Sequence, residues 1–114
     1  MRIELRETGS LANLDRRAVA YDDRLTVTEW GETRVDRALE PGERDEIAAL
    51  ADALAHARPK RRYGRTFVRV PMETVVTTDT LAVAVRPDPS TDQPPLEFWT
   101  LVRAVHRLSS VPLS

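Results

Sequence analysis

The stretch that decides the fold is PGERDEIAALADALAHA, residues Pro41–Ala57. Pro41 suits the first turn of a helix, because the N–H that proline lacks would have no helical partner there. Acidic residues follow at the positive end of the helix dipole, and Pro59 ends the helix. The apolar residues recur at the spacing of one helical face: Ile47, Leu50, Ala51 and Leu54. The stretch therefore predicts a helix over Pro41–Ala57 that packs closely on a sheet.

A second amphipathic helix is predicted over Leu96–Leu108. Arg103 and Arg107 fall on its polar side, which we expect to face water. The apolar stripe is wider than that of the first helix, and its members are Phe98, Leu101, Val102, Val105 and Leu108.

Alternating apolar and polar residues on both sides of the first helix predict strands. Short turns such as Asp22-Asp23 and Gly31-Glu32 join neighbouring segments, which favours antiparallel pairing. Pro71 interrupts one segment, which is then two short strands or an edge strand. The segments are Arg2–Glu7, Arg17–Tyr21, Arg24–Trp30, Thr33–Leu39, Thr66–Thr78 and Leu81–Val85. We predict one α+β domain over residues 1–114, with an antiparallel sheet of about five or six strands and two helices packed on one face.

Composition narrows the function classes. The chain has 114 residues, 31% of them charged, a formal net charge of −1 and no cysteine. The net charge argues against a general attraction to nucleic acid or to anionic membranes. The absence of cysteine excludes disulfides and thiolate chemistry. No apolar run reaches membrane-spanning length, and the start MRIELRET reads as a strand rather than a signal peptide. We expect a cytoplasmic protein without a membrane partner.

The sequence gives little support to an enzyme. It contains no G-x-S-x-G, Walker or G-x-G-x-x-G pattern. His56 and His106 are not followed at helical spacing by a second metal ligand. A turn explains Asp22-Asp23, and a helix N-terminus explains Glu43 and Glu46. We therefore expect no catalysis, no metal and no cofactor.

The basic stretch RPKRRYGR, residues 58–65, carries the alternative hypothesis of a nucleic-acid-associated or regulatory binding module. It holds five basic residues and a tyrosine able to stack on a base. A solvated loop after a helix explains the same residues, so nucleic acid is not the expected partner. The candidate patch consists of Lys60, Arg61, Arg62, Tyr63 and Arg65.

Three further features bear on protein binding. The aromatic residues most suited to anchor a protein interface are Trp30, Trp99 and Tyr63. Trp30 stands at a hairpin tip and Trp99 beside the second helical stripe, and each of these two either anchors an interface or caps the core. In the loop Gly9–Leu14, apolar Leu11 and Leu14 alternate with small residues. These leucines either pin the loop to the core or enter a cleft of a partner. Self-association through an open sheet edge is a third hypothesis.

The layout resembles the emfourin family, small bacterial protein inhibitors of thermolysin-like zinc metalloproteases. Three stretches carry the resemblance: TGSLANL after the first strand, LEPGERDEI at the first helix, and PPLEFWTLV at the second. Family members carry a Gly-Gly-aromatic/Leu-Ala-Gly-like loop, which Gly9, Leu11, Ala12 and Leu14 match, while Ser10 and Asn13 stand where glycines are common. The family's Leu-x-Pro-x-Glu helix start is matched by Leu39, Pro41 and Glu43.

The resemblance implies a protein without catalysis of its own that blocks a metalloprotease cleft by direct binding. Thermolysin-like clefts favour bulky apolar side chains, and Leu11 would supply one. The partner-binding residues implied in this way are Gly9, Ser10, Leu11, Ala12, Asn13 and Leu14.

Overall fold

A sheet with both helices on one of its faces forms the protein in its computed structural model, which describes residues 1–9, 14–64, 72–86 and 92–110. The described residues form seven strands and two helices. In chain order these are β1 (Arg2–Gly9), β2 (Leu14–Tyr21), β3 (Arg24–Glu29), β4 (Glu32–Ala38), α1 (Pro41–His56), β5 (Arg62–Tyr63), β6 (Glu73–Thr77), β7 (Ala82–Val85) and α2 (Leu96–Ser109).

The strand order across the sheet is β4-β3-β2-β1-β6-β7-β5. Every neighbouring pair is antiparallel except β5 and β7, which run parallel. The predicted α+β fold is confirmed, but the sheet is mixed rather than wholly antiparallel, and the predicted five or six strands are too few by one or two. The strand missed is β5, because its two residues are too few to show an alternating pattern.

The core lies between the helices and one sheet face. Residues two apart along each strand share this face, as the alternation of side chains requires. Ile3 and Leu5 of β1 lie opposite Ala20 and Ala18 of β2, and the small alanines leave room for the helices above them. The largest fully buried side chains are Leu5, Leu25, Val27, Ile47, Leu54, Val76, Val83, Phe98 and Leu101. Burial of each of these contributes about 1.5–3 kcal/mol to folding.

Both predicted helical stripes are confirmed. In α1, Ile47 and Leu54 are buried, while Leu50 and Ala51 are partly buried against the core. In α2, every residue of the predicted stripe is buried, and Arg103 and Arg107 are exposed. The helix ends differ from the prediction by one residue each, since α1 ends at His56 and α2 continues to Ser109.

Two strands are longer than predicted, and both lengthen towards the same connection. β1 continues to Gly9 instead of Glu7, and β2 begins at Leu14 instead of Arg17. The added pairs are Glu7 with Arg16, Thr8 with Asp15 and Gly9 with Leu14. Polar residues and a glycine break the apolar alternation here, so the sequence pattern ends before the ladder does. Of the predicted strand Thr66–Thr78, residues 73–77 form β6, and residues 66–71 lie outside the described part of the chain.

Candidate protein-interaction site

The predicted binding loop begins and ends at one end of the sheet, where β1 finishes and β2 starts. Gly9 and Leu14 are register partners, the last pair of this ladder. Gly9 is buried and Leu14 is half-buried, so the structure brings these two predicted site residues together as strand residues. The predicted site residues Ser10, Leu11, Ala12 and Asn13 lie outside the described residues. We call this end of the sheet, with Gly9 and Leu14 at its centre, the loop end.

Trp30 lies at the loop end as well, in the turn between β3 and β4. Trp30 and Gly31 have φ angles of +49° and +80°, the combination required by a two-residue hairpin turn that follows the right-handed twist of the strands. The backbone N–H of Trp30 donates to the carbonyl oxygen of Asp15 at 2.9 Å, which ties this turn to the start of β2. Trp30 is 53% exposed.

A positive φ at Trp30 is unusual for so large a side chain. Glycine and asparagine occupy this position in such turns without steric conflict, whereas an L-residue with a bulky Cβ substituent is strained there by about 1–2 kcal/mol. Strain of this kind concentrates at functional sites. The turn therefore presents a large apolar side chain to solvent at an energetic penalty.

Met72 occupies the other side of the loop end, directly before β6. A Cβ placed on Gly9 would lie 3.3 Å from Cγ of Met72, so the methionine side chain packs over the glycine. Met72 is nevertheless 48% exposed. Met72 is not among the site residues predicted from the sequence; its signal there is a large apolar residue directly after Pro71, which interrupts the strand pattern.

Charged side chains lie beneath the loop end, on the sheet face that carries the helices. Glu7 of β1 pairs in register with Arg16 of β2, and Arg16 with Glu29 of β3. Nε2–H of His106, on α2, donates to Oε1 of Glu7 at 2.7 Å, and Nε of Arg16 lies 3.9 Å from Oε1 of Glu29. The hydrogen bond from His106 is the main cause that lowers the pKa of Glu7; together with the electrostatic attraction to His106 and Arg16, it outweighs the effect of partial burial. These contacts hold α2 against the strands that support the connection.

The basic stretch differs from its predicted form at Tyr63. This residue is only 6% exposed and belongs to the core; it lies in β5 opposite Val85 of β7. Its hydroxyl accepts a hydrogen bond from the backbone N–H of Lys60 at 2.8 Å. The proposed use of Tyr63 for base stacking is therefore wrong, because its ring packs on the inner sheet face.

The cations of the basic stretch are divided in the structure. Nζ of Lys60 lies 2.5 Å from Oδ1 of Asp92, and this ion pair neutralises one member of the predicted patch. Arg61 and Arg62 are exposed, and Arg65 lies outside the described residues. The described patch therefore retains two unneutralised arginines beside each other rather than a broad basic face.

Trp99, the other predicted interface tryptophan, has a structural role. It is partly buried against the core, and its ring meets Phe98 edge to face with centroids 4.9 Å apart.

The outer strand β4 carries charged side chains along its length, among them Glu32, Arg34 and Asp36. Charged edge strands disfavour edge-to-edge pairing, so β4 offers poor support for self-association.

In comparisons with known proteins, no protein-family model, no curated protein and no solved structure matches this chain. Over residues 1–9, 14–64, 72–86 and 92–110, no three His, Asp or Glu side chains are grouped so that they could hold a metal ion. Neither described helix has the length and apolar character needed to cross a membrane.

Proposed function

We propose that this protein is an inhibitor of thermolysin-like zinc metalloproteases, which it blocks by direct binding through the connection between β1 and β2, residues 9–14. The proposal includes no catalysis by the protein itself and a cytoplasmic location. One observation carries the proposal. Gly9 and Leu14, the two ends of this connection, pair with each other at an end of the sheet where Trp30 and Met72 are also exposed. The resemblance of the sequence to emfourins supplies the class of partner.

The two ends of the connection are held by strands in the middle of the sheet. Gly9 and Leu14 belong to strands in the middle of the sheet, with β6 beside β1 and β3 beside β2. A segment held at both ends in this way loses less conformational entropy on binding than a free peptide would. The contact between α2 and β1, through His106 and Glu7, stiffens the same support.

Leu11 is the residue to which the proposal assigns the apolar anchor. Burying a leucine side chain in a protease pocket contributes about 1.5–3 kcal/mol, which corresponds to roughly a 10- to 150-fold change in affinity. A carboxylate in the same pocket would be desolvated without a partner, and this penalty adds to the loss. Leu11→Asp is therefore expected to abolish inhibition at protein concentrations where the wild type inhibits fully.

The test compares Leu11→Asp with Leu96→Asp, the same change at a second leucine. Leu96 is 70% exposed at the first position of α2, where an acidic residue suits the helix dipole. We expect Leu96→Asp to inhibit like the wild type, and Leu11→Asp to unfold at the wild-type temperature but not to inhibit. Full inhibition by Leu11→Asp contradicts the assigned anchor. Loss of folding in Leu11→Asp places Leu11 in the core instead.

The competing hypothesis of nucleic-acid association rests on Arg61 and Arg62 after the loss of Tyr63 as a stacking residue. Salt separates it from protease binding. A complex formed on an apolar anchor tolerates moderate salt, whereas phosphate binding weakens steeply as salt rises. Binding of a labelled oligonucleotide that falls steeply with salt, and disappears in Arg61→Ala, would favour this alternative.

A further inference from the structure

The loop end presents more than the β1–β2 connection. Two of the four exposed large hydrophobic residues in the described part of the chain, Trp30 and Met72, lie beside the residues that close this connection. Trp30 is tied through Asp15 to the start of β2, and Met72 packs over Gly9 at the end of β1. From the geometry we infer that Trp30 and Met72 are flanking contacts of the same interaction surface, one on each side of the connection.

The order of the strands sets the width of this surface. Trp30 follows β3 and Met72 precedes β6, and β2 and β1 lie between them. Adjacent strands are about 4.8 Å apart, so the three spacings from β3 to β6 place the two flanks about 14 Å apart. A segment that enters a cleft between these flanks brings both of them to the rims of the cleft. The inference rests on the proposed function, and the occupant of the surface is the same metalloprotease.

The size of a stable interface requires such flanks. Specific protein–protein interfaces contain about 20–30 residues on each side, and the segment 9–14 supplies six. A tryptophan buries about 150–250 Å² when it is covered, and it is among the residues that contribute most to binding. Trp30 is the largest exposed side chain next to the connection, and its backbone is strained by a positive φ angle.

Met72 suits the second flank for a different reason. Its unbranched, polarizable side chain adapts to irregular surfaces, which is why methionine recurs at binding surfaces. Because Gly9 has no side chain, Met72 lies across the end of β1 instead of pointing away from it. The flank therefore lies close to the first residue of the connection.

The experiment measures the inhibition constant of Trp30→Asn and Met72→Ser against a thermolysin-like metalloprotease. Asparagine accepts the positive φ of residue 30, so Trp30→Asn removes the ring without opposing the turn. We expect the inhibition constant to rise about 10- to 100-fold for Trp30→Asn and about 3- to 10-fold for Met72→Ser. Tyr21→Thr is the matched control: Tyr21 is 60% exposed and pairs with Arg2, the first residue of β1, at the opposite end of the sheet. We expect this variant to inhibit like the wild type.

A second readout does not depend on any variant keeping its fold. Wild-type protein labelled with 5-fluorotryptophan gives one fluorine signal for Trp30 and one for Trp99. Addition of the protease should shift the Trp30 signal and leave that of the core-packed Trp99 in place. Wild-type inhibition constants in both variants, or an unshifted Trp30 signal in an inhibited complex, overturn the flanking contacts and leave the proposed function standing. Absence of inhibition by the wild type overturns the proposed function and the flanking contacts together.

Discussion

Arg37 and Glu43 form a two-pronged ion pair between the sheet and the first helix. Nη1 of Arg37 donates to Oε1 of Glu43 at 2.9 Å, and Nη2 donates to Oε2 at 3.0 Å. Nη2 also donates to the carbonyl oxygen of Leu108 in α2 at 2.9 Å, and Glu43 accepts the backbone N–H of Glu40 at 2.8 Å. One arginine thus joins β4 to both helices and fixes how α1 begins.

The ion pair predicts a specific loss of stability in acid. The hydrogen bonds from Arg37, with that from the backbone of Glu40, lower the pKa of Glu43 from its ordinary 4.5 to about 2. Because the carboxylate is the bonded form in the folded protein, its contribution is fully present above pH 4.5 and is lost as the pH falls from about 4.5 to about 2. We expect Glu43→Gln to lower the free energy of unfolding at pH 7 by about 1 kcal/mol.

Urea unfolding at several pH values measures this effect. The difference between wild type and Glu43→Gln should shrink as the pH falls through this window. Glu32→Gln is the control, because Glu32 pairs with Arg34 in a mostly exposed contact on β4 and should change stability little. A difference between wild type and Glu43→Gln that is constant from pH 7 to pH 2 would contradict the assigned ion pair.

His106 is expected to control the ionisation of Glu7. The hydrogen bond from His106 is the main reason that the pKa of Glu7 lies below its ordinary value, so His106→Ala should raise that pKa. The variant should also lose about 1–3 kcal/mol of stability near neutral pH, as expected for a hydrogen bond to a charged group. NMR titration of the Glu7 carboxyl carbon tests the first expectation and thermal unfolding the second. His56→Ala removes an exposed histidine that contacts Asp52 of its own helix and should change neither. An unshifted Glu7 pKa in His106→Ala would refute the contact.

Gly64 is expected to tolerate no side chain. Its φ is +90°, and a Cβ there would lie 2.3 Å from the carbonyl oxygen of Arg86, next to the pairing of β5 with β7. We expect Gly64→Ala to destabilise the protein by more than about 2 kcal/mol. Gly42→Ala is the matched control, because no atom lies near its Cβ position in α1 and alanine favours helix. It should raise the free energy of unfolding by about 0.5–1 kcal/mol. Equal effects of the two changes would show that β5 does not pack as described.

The burial of Tyr63 predicts a small, measurable effect of removing its hydroxyl. Tyr63→Phe loses the hydrogen bond from the backbone of Lys60 and should lower stability by about 0.5–1.5 kcal/mol. Chemical denaturation measures the loss. Acrylamide quenching of tyrosine fluorescence, compared between the wild type and Tyr63→Phe, tests the burial itself. Efficient quenching of Tyr63 in the folded protein would show that its ring is exposed, which would contradict its burial and support the base-stacking hypothesis.

The sequence predicts most of the fold because periodicity reports burial. Ile47 and Leu54 mark the buried face of α1 at helical spacing, and Ile3 and Leu5 mark the inner face of β1 at strand spacing. The prediction fails where burial and polarity disagree. In RRYGR, the buried Tyr63 stands among arginines and a glycine, so the two residues of β5 read as a solvated loop.

The candidate site is less accessible to sequence reasoning, because its parts come from separate stretches of the chain. Trp30 and Met72 are 42 residues apart in sequence, and only the order of the strands places them on either side of the same connection. A hairpin after β3 was predicted from Gly31, but at Gly31-Glu32, one residue later than the observed turn at Trp30-Gly31. The attachment of this turn to Asp15 was not predictable from the sequence. Likewise, the hydrogen bond between Glu7 and His106 joins opposite ends of the chain, and no local sequence pattern predicts it.

The central claim is tested most directly by titrating the purified wild-type protein into a thermolysin-like metalloprotease while cleavage of a small peptide substrate is followed. We predict that activity falls linearly and is lost at a fixed molar ratio, because a protein that occupies the cleft blocks even a small substrate. The loss should persist in moderate salt. Unchanged cleavage of the small peptide at a large molar excess of the protein would contradict the account.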